Sequence, residues 1–285
     1  MIAGRPGTTG VSDIVHYSRP PVIEVALAVQ FKPGTLTALD AATFRGSIRD
    51  TYPTYEEQPP RPPVEEVFDP VIGGIPFRFE VVDAPQMNRV WFLTEDGSRL
   101  VQLQSDLLAV NWRRLNEGDE YPHYGVLRAD LEQYLKALNG ILEEEGRESI
   151  RPNWCEVTYI DHIAPEEPEG PRPPLEQVLT AFSRPEGDFL PEPEDAFVRE
   201  RFVISAGDQP RGRLIVEAAP GYRNVDRVPI WSLTFTSRLM AVAEGGAGAL
   251  DALDLGREWA VNAFMELTSA EMQSKWGLEA KEGTS

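Results

Sequence analysis

The residues best placed to do chemistry in this chain fall on strand-like runs. In VIEVALAVQF, residues 22–31, the odd positions Ile23, Val25, Leu27, Val29 and Phe31 are apolar, while Glu24, Ala26, Ala28 and Gln30 are small or polar. That is the period of a strand with one buried face, and it turns Glu24 away from the core. Gln102 and Gln104 in RLVQLQ, and Asn111 and Arg113 in LLAVNWRR, take the same outward parity on their own runs. One sheet face is therefore expected to carry a carboxylate, three amides and a guanidinium. Such a set can hold a ligand, or it can close on itself through cross-strand hydrogen bonds and an Arg113–Glu24 pair.

Other groups extend the list. Asn111-Trp112-Arg113-Arg114 and Tyr121-Pro122-His123-Tyr124 gather aromatic and hydrogen-bonding residues around one loop, a composition favoured at interfaces. Trp112 and Tyr121 would serve equally well as anchors for the helix behind them. Glu156, in NWCEVTYIDHI, becomes the counterpart of Glu24 when Cys155-Glu156-Val157 is laid over Ile23-Glu24-Val25. Arg199, Arg201, Arg211 and Arg213 lie on one expected hairpin, as a basic row able to meet a phosphate or acidic partner, or to pair with Glu200 and Glu217.

Several chemistries find no support. His16, His123 and His162 are far apart and show no metal-ligand spacing, and His162 beside Asp161 reads as a strand end. There is no G-x-S-x-G elbow, and Gly73-Gly74 and Gly245-Gly246-Ala247-Gly248 match no phosphate-cradling pattern. Neither a metal nor a cofactor is expected. Glu56-Glu57, Glu65-Glu66 and Glu143-Glu144-Glu145 read as solvated pairs and runs, since catalytic carboxylates need burial to separate their pKa values.

The elements that position these groups alternate along 285 residues, of which 41% are hydrophobic. After the first strand, Leu36, Leu39, Phe44 and Ile48 predict a helix that stops near Tyr52-Pro53. A proline-rich excursion follows, then the runs FRFEVVD, NRVWFL, RLVQLQ and LLAVNWRR as a four-strand meander, then an amphipathic helix through Leu127, Leu131, Leu135, Leu138 and Leu142. The second half repeats the order: NWCEVTYIDHI, a proline-rich stretch with a short helix near Leu175 to Phe182, the runs FVRERFVIS, GRLIVEAA and PIWSLTFTS, and a helical tail from about Leu250 to Trp276. Thr268-Ser269-Ala270-Glu271 fits a capping box, which predicts a bend near Thr268.

The expected fold is α+β: two tandem β-α-β(3-4)-α halves, residues 20–150 and 151–278, with helices on one face of antiparallel meanders, a pseudo-duplication like the TATA-binding-protein saddle. The rival is a single helix-grip sheet wrapped around one long helix. Residues 1–19 read as a flexible leader and 279–285 as a tail. The net charge of −19 argues against sequence-independent binding to nucleic acid or anionic membrane. No run approaches the roughly 20 apolar residues of a membrane helix, and lone Cys155 reads as a buried apolar side chain, so a cytoplasmic protein is expected.

The succession Pro21-Val22-Ile23-Glu24-Val25, Gln102-Leu103-Gln104, Asn111-Trp112-Arg113, Tyr121-Pro122-His123-Tyr124 and a terminal helix with Phe264 and Trp276-Gly277 resembles a sporadically distributed bacterial protein family of unknown function. The resemblance spans roughly residues 15 to 277 and carries no catalytic residue. It implies a stand-alone bacterial protein, of the kind that serves as an accessory of a horizontally transferred, defence-like system. The expected function is non-enzymatic binding of a protein, peptide or small ligand by the exposed sheet face or the cleft between halves. The alternative is a helix-grip pocket with lyase or cyclase chemistry, in which Glu24 or Glu156 is a buried base of raised pKa. An acidic decoy imitating nucleic acid ranks last, because the acids cluster in proline-rich loops. A homodimer through a sheet edge, or through aromatic groups around Trp112 and Trp231, is also an expectation.

Overall fold

The structure, a computed structural model, describes residues 17–68, 87–116, 118–167, 169–183, 189, 193, 195–242 and 246–278. Strands β1 (Val22–Gln30), β2 (Thr54–Gln58), β3 (Arg89–Leu93), β4 (Arg99–Gln104), β5 (Leu107–Arg113), β6 (Trp154–Ile163), β7 (Val198–Ala206), β8 (Gln209–Tyr222) and β9 (Pro229–Met240) form one sheet. Their order is β2-β3-β4-β5-β1-β6-β9-β8-β7, and every neighbouring pair is antiparallel. The fold is α+β. The two strands that open with a carboxylate-bearing apolar run, β1 and β6, lie side by side at the centre.

The parity read from the sequence sets the core. Val25, Leu27 and Val29 of β1, Leu108, Val110 and Trp112 of β5, Cys155 and Val157 of β6, and Leu233, Phe235 and Leu239 of β9 are buried in one cluster. Helix α1 (Ala38–Ile48), helix α2 (Tyr124–Glu144) and helix α4 (Gly246–Leu267) contribute Phe44, Leu131, Leu138, Leu253 and Phe264 to it. Short helices α3 (Leu175–Val178) and α5 (Ala270–Lys275) add Val178 and Met272. Helix α4 approaches the sheet closely at Gly256, where a Cβ would meet Leu239 at 3.0 Å and Val157 at 3.2 Å. Tyr124 and Arg128 of α2 donate to Asp254 of α4 at 2.7 and 2.8 Å, which fixes how the two long helices cross.

Several expectations need correction. The edge strand β2 comes from TYEEQ, inside what reads as a proline-rich excursion, while the run FRFEVVD lies outside the described residues and is not tested. The side chains of β2 are almost all exposed, so burial leaves no apolar alternation there to signal a strand. The cap of α5 is Ser269, whose side chain accepts from the Met272 backbone at 3.2 Å, one residue later than the expected box. Tyr17, Ser18 and Arg19, read as leader, pair with residues 276–278: the Ser18 and Arg19 amides donate to Gly277 and Trp276 at 3.0 and 2.9 Å. Trp112 and Trp231 are buried, so they form no aromatic surface for a second copy. The sheet is covered by three helices on one face and is not wrapped around a lone helix.

Candidate functional site

The outward face of the sheet carries the polar set that parity placed there. Strand pairing puts Glu24 opposite Arg113, Ala26 opposite Asn111, and Gln102 opposite Trp91. The side chains form a relay across four strands. Arg89 and Trp91 donate to Gln102 at 3.2 and 3.0 Å, Gln102 donates to Asn111 at 2.7 Å, and Asn111 donates to Glu24 at 2.7 Å. Arg113 donates to the Gly97 carbonyl at 3.0 Å and stacks against Trp91, so its partner is a carbonyl and an aromatic ring. The amides are satisfied within the protein.

Residues 59–68 cross the other part of this face as a strap without helix or strand. Gln104 of β4 and Gln30 of β1, whose strands flank β5, hold it, and Glu66 ends in a cluster of arginines from β7, β8 and β9. Arg201, Arg213 and Arg238 donate to Glu66 at 3.0, 2.7 and 3.0 Å, while Arg238 and Arg61 hold Glu156 at 2.7 and 2.9 Å. Burial alone would push both carboxyls up. The hydrogen bonds and charges of Arg238 and Arg213 on Glu66, and of Arg61 and Arg238 on Glu156, outweigh it and hold both below the ordinary 4.5. Glu156 is thus an ionised ion-pair partner and not a base of raised pKa, and Glu66 is buried where the sequence reads as solvated. Within the basic row, Arg199 pairs with Glu217 at 3.3 Å, and Arg211 sits beside the bulge between Ile204 and Ser205, apart from the cluster.

The third arrangement lies on the helical side, where β1 begins and β6 ends. A cavity of about 120 Å³ is walled by Tyr17, Tyr121, Tyr124, Tyr159, Phe235 and Phe264, with His123, Arg257 and Asp161 among its polar groups. The size is near that of an engineered protein cavity, on the order of 150 Å³, that takes up benzene. Asp161 is only 4% exposed, and among the described residues its carboxyl is acted on by burial and the charge of Arg114, with no hydrogen bond to it. Burial pushes its carboxyl up to about 7, and the charge of Arg114 offsets this only in part. The Tyr17 hydroxyl is buried without a hydrogen-bond partner among the described residues, and burial together with the Asp161 charge pushes its pKa up. Burial raises Tyr121, Tyr124 and Tyr159 as well, so all the phenols stay protonated donors. At the rim, His123 opens α2 with φ at +65°, a backbone conformation that a non-glycine residue adopts only when its surroundings enforce it.

Of the residues singled out in the sequence, the structure brings Glu24, Gln102 and Asn111 together in one relay. It places Gln104 and Glu156 under the strap, Arg201 and Arg213 on Glu66, and His123 at the cavity. The sequence marks neither Asp161, Arg61 nor Arg238 as a site residue, and Glu66 only as half of a solvated pair. For Asp161 the signal is present: Cys155, Val157, Tyr159, Asp161 and Ile163 share the inward parity of β6, so an acid interrupts a buried row. Glu24, which prompts the same question in β1, sits on the outward parity and interrupts nothing. Neither the models of known protein families nor the curated proteins give a match to this chain.

Proposed function

We propose that the protein is a binding module whose tyrosine-walled cavity, between the first-half elements β1 and α2 and the second-half elements β6, β9 and α4, takes a compact small molecule carrying an N–H or O–H donor for Asp161. The observation that carries this reading is an almost fully buried carboxylate, without a hydrogen bond from any described residue, at an aromatic cavity. Burying such a group unpaired costs several kcal/mol, and a ligand donor removes that cost. The aromatic walls supply the rest through burial of the ligand's apolar body.

The pseudo-duplicated saddle belongs to the same reading. Strands β1 and β6 face each other about the Ala26–Thr158 pair, and the alignment that superimposes Glu24 on Glu156 superimposes Ala26 on Thr158. Beyond each central strand the meander runs back to it in the same sense, β5-β4-β3-β2 on one side and β9-β8-β7 on the other. A cavity at the junction of two such halves draws residues from both, as Tyr121 and Asp161 illustrate.

A second reading is favoured by the Asp161 carboxyl, which burial brings to about 7: a group that titrates near neutrality can take and return a proton in a lyase- or cyclase-type reaction. The test that separates presence from absence of a ligand site is a thermal-shift panel of small aromatic and aliphatic amines, amides and nucleobases at pH 8. A ligand at 100 times its Kd stabilises the wild type by about 2.7 kcal/mol. Asp161→Asn is expected to lose that gain for the same compounds. Equal shifts in both proteins, or none in either, would remove the proposal; conversion of a hit to product by wild type alone would favour the second reading.

A further inference from the structure

The strap over the outward face is held in the manner of a bound peptide. Gln30 uses both ends of its amide on Val64, donating to the carbonyl at 2.9 Å and accepting from the backbone N–H at 2.5 Å. Gln104 does the same to Arg61, donating at 2.8 Å and accepting at 2.7 Å. The two clamped residues are three apart with Pro62 and Pro63 between them, the spacing of one polyproline turn. Beneath lie Ala28, Leu107 and Ala109, a separate buried apolar patch on this face. Two residues past the second clamp, the Glu66 carboxylate enters the Arg201–Arg213–Arg238 cradle, and Arg213 also donates to the Val67 carbonyl at 2.9 Å.

These contacts read the backbone, one acid and the Arg61 guanidinium, which donates to Glu156 at 2.9 Å, with little call on the Pro62, Pro63 and Val64 side chains. Pro62 and Pro63 are exposed, and no strand or helix ties the strap into the sheet. The same opening recurs at Arg172-Pro173-Pro174-Leu175-Glu176-Gln177-Val178, with glutamine in the place of Glu66. There it turns into α3 on the helical side, with the Pro173 carbonyl accepting from Trp231 at 2.7 Å. The extended form of Arg61 to Glu66 is therefore imposed by the groove and its cradle.

We propose that this face is a peptide-recognition groove that residues 61–66 occupy in cis, and that a proline-rich segment of a partner protein, of the form R-P-P-x-x-E, displaces them, its arginine taking the place of Arg61 on Glu156 and its acid that of Glu66. The groove supplies two amide clamps and a triple arginine site for one carboxylate, the recognition used for extended proline-rich ligands combined with that used for acidic ones. Glu66 acts as an internal competitor, so the intact chain binds such a partner more weakly than its groove alone would allow. This inference does not depend on the cavity at Asp161.

The test is fluorescence anisotropy of a labelled peptide PPRPPVEEVF, residues 59–68, titrated into the full chain. Two strap variants weaken the internal competitor by different routes: Glu66→Ala removes its acid, and Pro62→Gly with Pro63→Gly removes its preset backbone. Each is expected to bind the peptide about tenfold or more tightly than wild type. A peptide with glutamine in the place of Glu66, or the addition of Arg213→Ala to either variant, is expected to lose about as much, and raised salt to weaken the complex. Failure of both variants to gain affinity while they keep a cooperative melt and the wild-type far-ultraviolet spectrum would overturn the proposal. So would equal binding of the glutamine peptide, or a dimer of the variants that the peptide cannot dissociate, which would seat a second copy in the groove.

Discussion

Two carboxylates of this chain are buried to opposite effect. Glu66 is ionised because three guanidiniums surround it, whereas burial lifts the Asp161 carboxyl to about 7 and the charge of Arg114 offsets this only in part. The stability consequence of Asp161 follows in sign from the raised value. A carboxyl that binds its proton more tightly folded than unfolded contributes stability below the ordinary 3.8, and that contribution is lost as pH rises through about 7. Asp161→Asn abolishes this dependence, so in denaturant melts its stability relative to wild type should rise by about 4 kcal/mol between pH 4 and pH 8. Glu66 and Glu156 run the other way: their stabilisation is present above the ordinary 4.5 and lost as pH falls through their lower folded values, which should loosen the strap in acid. In the relay, Asn111→Ala strands both Gln102 and Glu24 and should cost about 1–3 kcal/mol, read from the denaturation midpoint.

At the scale of elements, what could be read from the sequence was whatever burial writes as a period. The alternation in VIEVALAVQF gave β1 its register, the heptad-like leucines gave α2, and parity gave the outward set of Glu24, Gln102, Asn111 and Arg113. Strand β2 left no trace because an exposed edge strand has no buried face to encode. The strap is unreadable for a different reason: Glu66 is buried by arginines some 135 or more positions away, and nothing local distinguishes it from the exposed Glu65 beside it. Two substitutions check how the elements are held. Gly212→Ala would drive a Cβ into the Arg238 carbonyl of the neighbouring strand, and should destabilise by about 3 kcal/mol while displacing Arg213 and Arg238 from Glu66. Ser269→Ala removes the cap of α5 and should cost about 1 kcal/mol, a shift of a few degrees in calorimetry.

Across the whole molecule, one sheet separates two surfaces of different chemistry. Helices cover one face and leave an aromatic cavity at their crossing; a strap covers part of the other through amides and arginines. The central strands β1 and β6 are paired on both edges, so their amides should exchange with deuterium most slowly, and those of residues 61–68 much faster. No described helix is long and apolar enough to cross a membrane. The most direct test of the binding reading is a crystallographic soak of small donor-bearing compounds into wild type and Asp161→Asn crystals at pH 8. Bound compounds should lie between Tyr121, Tyr159 and Phe264 with an N–H or O–H on the Asp161 carboxylate, and be missing from the variant. Compounds gathered elsewhere, or seated in the cavity of both proteins alike, would contradict it.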